Sequence, residues 1–216
     1  MSRRSERARE IWATVHAERR ALASDLERLE PGQWGTPSLC DGWTVHDVLA
    51  HLVASAKTTR LGFMTGLVRA RFDFDRENAA GIARERGATP ADTLAGFRAV
   101  LDRTDTPPAP LETRLVEAVV HGEDIRRPLG LAGTYPLDAV EQALRHQART
   151  STSFGGAREH LAGLRLAPDD TDATIGSGLP VQGSALALLL AISGRDVAFT
   201  DLEGPGVADL VRRLRP

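Results

Sequence analysis

The feature that most constrains this chain is a recurring one. In stretch after stretch, apolar residues return every three or four positions, and proline or glycine stops the run. Between Ser5 and Leu29 the returning residues are Ile11, Val15, Leu22, Leu26 and Leu29, with charges between them, and Pro31-Gly32 ends the run. An α-helix gathers residues three and four apart on one face, so each such run must bury that face against a partner. Thr44 opens a second helix. It is a good N-cap with Asp47 three positions on, a capping box with Asp in place of Glu. Val45, Val48, Leu49, Leu52, Val53 and Ala56 form its stripe. Thr89-Pro90-Ala91-Asp92 starts a third helix, which carries Leu94, Phe97, Val100 and Leu101 until Pro107, Pro108 and Pro110 break it. A fourth runs from Leu111 to Leu129 and stops at Gly130, and a fifth covers Leu137 to about Thr152. Arg69 to Arg86 is charged and weakly patterned and reads as a helix end and connector.

After Phe154-Gly155-Gly156 the character changes. Leu164-Arg165-Leu166 alternates like a short strand, Asp169 to Asp172 reads as a turn, and Ala173-Thr174-Ile175 as a second strand. Gly183 to Ser193 has the composition of a buried helix, and Gly206 to Leu214 of a final short one. The expected fold is mainly α: a four-helix bundle over residues 1–154, bridged by the fifth helix, and a small α+β appendage over 155–216. A length of 216 residues suits one domain with an appendage or two small domains. Aromatic residues make up only 5% of the chain, so the core must be chiefly aliphatic.

The charge balance, 27 basic against 29 acidic residues, gives no pull toward nucleic acid or an anionic membrane. The single cysteine, Cys40, excludes an internal disulfide and a cysteine-rich metal site. The N-terminal stretch has no apolar leader segment, and the longest apolar run, Ala185 to Ile192, is far short of the roughly 20 residues that span a bilayer. A soluble, cytoplasmic protein is expected, as monomer or homodimer. The glycine pairs lack a phosphate-loop frame, and neither a Ser-His-Asp elbow nor a basic helix-turn-helix is present.

Chemistry gathers on the fourth helix. Glu117 and His121 are four apart and share a face, and Asp124 extends the strip by three. They flank the apolar stripe of Leu115, Ala118, Gly122 and Ile125, and in a bundle a flank faces a neighbouring helix. His51 stands in the same relation to the second helix, with small or polar Ser55 and Thr58 beyond it. One carboxylate and two imidazoles suit zinc and tolerate nickel, cobalt or iron, and three protein ligands leave a position open. Spacing alone favours the plainer reading, in which these are surface or satisfied polar residues.

The stretch Leu39-Cys40-Asp41-Gly42-Trp43-Thr44-Val45-His46-Asp47-Val48-Leu49-Ala50-His51-Leu52 resembles the signature of the mycothiol-dependent maleylpyruvate isomerase family, one of the DinB-like metal-binding four-helix bundles. Glu117-Ala118-Val119-Val120-His121-Gly122-Glu123-Asp124-Ile125-Arg126-Arg127-Pro128-Leu129-Gly130 resembles its second signature, and Leu188 to Gly206 its tail. The resemblance implies a divalent metal, usually zinc, on His51, Glu117 and His121, with mycothiol as cosubstrate. It implies an isomerase or thiol transferase in which an activated thiolate attacks a small electrophile. Two alternatives stay open: a non-catalytic metal-binding regulatory protein, and a metal-assisted hydrolase in which water replaces the thiol.

The remaining candidates have ordinary readings beside the functional ones. Cys40 reads as a packed loop cysteine, and His46 as solvated near a helix N-terminus. Arg126 and Arg127 suit the dipole at a helix C-terminus, an anion-binding role being the alternative. Asp124 is balanced between a surface ion pair and a partner that orients a metal-bound histidine.

Overall fold

The computed structural model describes residues 3–215. By its contacts the chain divides into two compact units. One takes the chain up to Arg114 together with His121–Gly133, and the other takes Leu115–Val120 with the chain from Thr134 onward.

The first unit contains the helices α1 (Arg3–Leu26), α2 (Val45–Ala56), α3 (Arg60–Arg69), α4 (Phe74–Glu85) and α5 (Pro90–Arg98), and the C-terminal part of α6 (Thr113–Arg126). Thr44 and Thr89 cap α2 and α5 with complete capping boxes, each pairing with the Asp three residues on. Helix α2 is the centre of this unit. Val45, Val48, Leu49, Leu52, Val53 and Ala56 are buried with Leu22, Leu26, Leu94, Phe97, Val100 and Ile125 in one aliphatic core that contains a single phenylalanine. Full burial of each large side chain stabilises the fold by about 1.5–3 kcal/mol, so the regular stripe on α2 sets where its flanks, and His51 among them, must lie.

The stretch read as a connector is helical. Thr59 caps α3 through the Gly62 N–H, and Asp73 caps α4 through the Arg76 N–H. Few of their residues are buried, Gly66 and Leu67 on α3 and Gly81 and Ile82 on α4, so little apolar periodicity marks them. The turn between them places Arg71 and Phe72 at positive φ, 59° and 64°. That conformation costs a non-glycine residue about 1–2 kcal/mol, and it makes a turn that no glycine or proline announces.

In the second unit α7 (Leu137–Arg149) packs on α8 (Ala185–Ile192), and α9 (Val207–Leu214) closes the described chain. Strands β1 (Leu164–Pro168), β2 (Ile175–Gly176) and β3 (Leu179–Gly183) form a sheet of order β2-β1-β3. β2 pairs antiparallel with β1, and β3 pairs parallel with it on the other side. Passing from β2 to β3 takes the chain across the start of β1. Gly178, at φ +124°, lies so close to the Gly163 carbonyl that a Cβ would meet it at 2.0 Å, so only glycine makes this crossing. The expected second strand begins two residues later than read, and β3 is additional. The expected mainly α fold with a small C-terminal α+β portion is otherwise what the chain adopts.

One buried charge cluster holds α1 to α6. Arg126, 1% exposed, gives Nε to Asp25 at 2.7 Å and a second guanidinium nitrogen to Glu18. It stands in the last turn of α6, as read from the sequence, but it is a core residue whose guanidinium is given to two acids of α1. Burial pushes the Glu18 carboxyl up to about 7, against the pull of Arg126 and with help from the neighbouring Asp25 and Glu123. Below pH 4.5 Glu18 is protonated in both the folded and unfolded chain. Between there and about pH 7 only the unfolded chain ionises, so this group's stabilisation is full at acid pH and is lost as pH rises through about 7. Glu18→Gln should therefore gain on wild type as pH rises across that window, by up to about 3 kcal/mol. Urea unfolding of both proteins at pH 5, 6 and 7.5 measures the difference, and a difference independent of pH would contradict the assignment.

Candidate metal centre

The centre begins with a short loop. Ser38 N–H and hydroxyl both donate to the Trp43 carbonyl, at 2.9 and 2.8 Å, and Cys40 N–H donates back to Ser38 Oγ at 3.1 Å. Gly42 supplies the left-handed residue the turn needs, at φ 76°. The loop is pinned at two further points. Leu39 N–H donates to the Asp124 carbonyl of α6 at 3.2 Å, and Val45 N–H donates to the Thr36 carbonyl at 3.0 Å. The loop that carries Cys40 and Trp43 is thus held on both sides of the Thr44 cap of α2.

Against this loop lies the C-terminal half of α6. The Asp124 side chain is fully buried. Its Oδ2 accepts from His121 Nδ1 at 2.8 Å and from the Cys40 thiol at 3.0 Å, and Cys40 Sγ is 3.8 Å from His121 Nδ1. A buried carboxylate is costly unless donors surround it, and these two are donors. With the proton on Nδ1, the lone pair of His121 is on Nε2. The His121 ring meets the His51 ring edge-on, with centroids 4.9 Å apart, and Trp43 lies 5.1 Å from His51 on a tilted plane. One turn past His51, Ser55 Oγ accepts from the buried Arg114 guanidinium at 2.9 Å.

Two metal-binding arrangements can be compared with this geometry. Cys40, His121 and Asp124 have donor atoms within 4.8 Å of one another. Metal bonds of about 2.0–2.3 Å at tetrahedral angles set neighbouring ligand atoms roughly 3.3–3.6 Å apart. The observed 2.8 and 3.0 Å contacts are hydrogen-bond lengths instead. Asp124 therefore acts on His121 as an outer partner, fixing its tautomer and presenting Nε2, the usual support for a metal-bound histidine. The donor chemistry fits a divalent metal on the histidines.

Of the three ligands expected from the sequence, the structure brings His51 and His121 together, both half-buried. Glu117 is half-buried on α6 one turn before His121, and helix spacing puts the two side chains on one face. The thiol of Cys40 and the ring of Trp43 are additional members. Both stand in the Leu39–Leu52 motif that contains His51, but only the fold shows that the loop turns back onto α6. His46, expected to be solvated, is buried, 5% exposed. Its Nε2 donates to Thr93 Oγ1 at 2.7 Å, while Nδ1 accepts from Arg86 Nε at 3.2 Å. Burial and the Arg86 charge hold its pKa below the usual histidine range, so it is a neutral structural residue.

Comparison with known proteins bears on the half of this centre that precedes α6. Residues 15–109 match the family model of the mycothiol maleylpyruvate isomerase N-terminal domain. The matched stretch takes in Cys40, Trp43 and His51. No curated protein is similar enough to count as a match. Two solved structures share the fold: the crystal structure of the mycothiol-dependent maleylpyruvate isomerase and that of a histidine-to-alanine mutant of it. They are 16% and 15% identical to this chain, and each comparison covers 92% of both chains at a TM-score of 0.62. Among the described residues, no helix is long and apolar enough to cross a membrane. Over residues 15–109 the chain is thus similar to the mycothiol maleylpyruvate isomerase N-terminal domain family.

Proposed function

We propose that this chain is a mycothiol-dependent enzyme, an isomerase or thiol transferase acting on a small electrophile, with a divalent metal held by His51, Glu117 and His121. The observation that carries the reading is the 2.8 Å hydrogen bond between His121 Nδ1 and the buried Asp124. It leaves Nε2 as the coordinating nitrogen, on a ring that already faces His51. Two imidazoles and a carboxylate favour zinc among the common divalent metals. The family and the two isomerase structures supply the thiol half of the reading.

When bound, the metal lowers the pKa of a coordinated thiol, so that a thiolate is available at neutral pH. The chain's own residues do the rest. Asp124 keeps His121 in one tautomer and one orientation. The Cys40 thiol shares that carboxylate and fixes the loop at the same time. Trp43 covers a side of the His51 ring and keeps water from it. Addition of the cosubstrate thiolate to a double bond conjugated to a carbonyl, followed by rotation and elimination, isomerises the substrate; addition alone gives a conjugate.

Three measurements test this. Elemental analysis of untagged protein should give about one divalent metal per chain, and His51→Ala, Glu117→Ala and His121→Ala should each lose most of it. Wild-type metal content in all three variants would place the metal elsewhere. Asp124→Asn should keep the fold but weaken metal affinity by about 10–100-fold, measured by competition with a chromophoric chelator; unchanged affinity would remove Asp124 as the orienting group. Turnover of a panel of conjugated carbonyl compounds should require mycothiol. Turnover without any thiol would favour a hydrolase, and bound metal without turnover would favour a binding protein.

A further inference from the structure

The first unit contains a second feature that the metal centre does not use. A cavity of about 540 Å³ lies between the C-terminal end of α2, α3 and α4. Its charged lining consists of Lys57, Arg69, Arg76, Arg84, Glu77 and Glu85, four cations against two carboxylates. Glu85 is already committed, to Lys57 at 2.7 Å and to Arg84 at 3.2 Å. The Arg69 and Arg76 side chains have neither an ion pair nor a hydrogen bond among the described residues. The remaining carboxylate, Glu77, packs against the buried Gly66, where a Cβ would come within 2.3 Å of it. Two uncommitted guanidiniums thus share a small-molecule-sized hollow that has a net positive lining.

We propose that this cavity is an anion-binding site that takes the carboxylate or phosphate group of a small molecule through Arg69 and Arg76. A guanidinium presents paired N–H donors that match either oxyanion, and charge-assisted bonds of this kind are about twice as strong as neutral ones. In a part-enclosed hollow the attraction is screened less than on an open surface. The cavity is also placed for use. Ala54 forms its α2 wall and follows His51 by three residues, and Thr58 lines it just past the end of that helix. At 1.5 Å per residue Ala54 stands about 4.5 Å along the axis from it. The hollow therefore begins within one helical turn of His51.

The binding claim is tested apart from catalysis, by calorimetry of the purified full chain with succinate and with inorganic phosphate as probes. The expected result is one saturable site, weakened by added salt. Arg69→Gln and Arg76→Gln should each lose about tenfold or more in affinity, equivalent to about 1.4 kcal/mol. Both residues are exposed, and circular dichroism checks that the variants keep the fold. His51→Ala, which disables the proposed metal centre, should bind the probes as wild type does. The tighter of the two probes identifies the oxyanion that the site prefers. Absence of saturable binding by either probe, or wild-type affinity in the Arg69→Gln/Arg76→Gln double variant, would overturn the proposal and leave the metal-centre reading untouched.

Discussion

The buried carboxylate of Asp124 is the constraint on which the rest of the centre depends. A carboxylate removed from water must be surrounded by donors, and here the donors come from two directions, His121 on its own helix and Cys40 on the loop before α2. The backbone carbonyl of the same residue accepts from Leu39, so one position on α6 holds the loop by side chain and main chain together. That loop runs straight into the Thr44 cap. Fixing it fixes where α2 begins, and His51 follows seven residues after the cap. The relation between His51 and His121 is therefore a consequence of satisfying one buried charge.

Two residues further along α6 the same demand is met on another side. Arg126 is turned about 200° from Asp124 on the helix and is buried against α1, where Asp25 and Glu18 receive it. Removing one member of such a cluster leaves the others charged and dry, which costs far more than the net worth of the pair. The cluster thus specifies position rather than adding much stability, and it prevents α6 from rotating about its axis. A rotation that broke the Asp124 contacts would also pull Arg126 from its acids. Arg127, at the half-exposed end, pairs with Glu123 at 2.8 Å.

Much of this arrangement was legible in the sequence, and what was not has identifiable causes. Helices with a continuous apolar stripe and a capping signal, α2 and α5 above all, stand where Thr44, Thr89 and their partner Asp residues put them. Helices α3 and α4 escaped notice because each buries only a few residues and because Arg71 and Phe72 make the intervening turn without glycine or proline. Strand β3 was hidden for a related reason: its pairing with β1 is parallel and passes through Gly178, which carries no periodicity. The four-residue spacing of Glu117 and His121 showed a shared face but not what it faces. The burial of His46 and of Arg126 is not legible for one reason, since position within a helix says nothing of the partner packed over it. His46 is buried beside Thr93 and Arg86, and Arg126 beside Glu18 and Asp25.

The two halves of the centre also differ in how they are supported. The matched family segment ends at residue 109, so it includes His51, Cys40 and Trp43 but stops short of α6. The α6 half rests on local chemistry instead. A histidine between a buried carboxylate and a second imidazole has little freedom. Its Nδ1 proton is claimed by Asp124, a ring flip would set the Nε2 lone pair against that carboxylate, and protonation of both nitrogens would bring a cation toward the metal position. Cys40 reinforces the choice, because its thiol supplies the second donor that Asp124 needs without supplying a competing positive charge. A lysine or arginine at that position would satisfy the carboxylate equally well and would place a fixed cation beside the proposed metal. A neutral donor leaves the negative charge of Asp124 available to hold His121 by its Nδ1 proton.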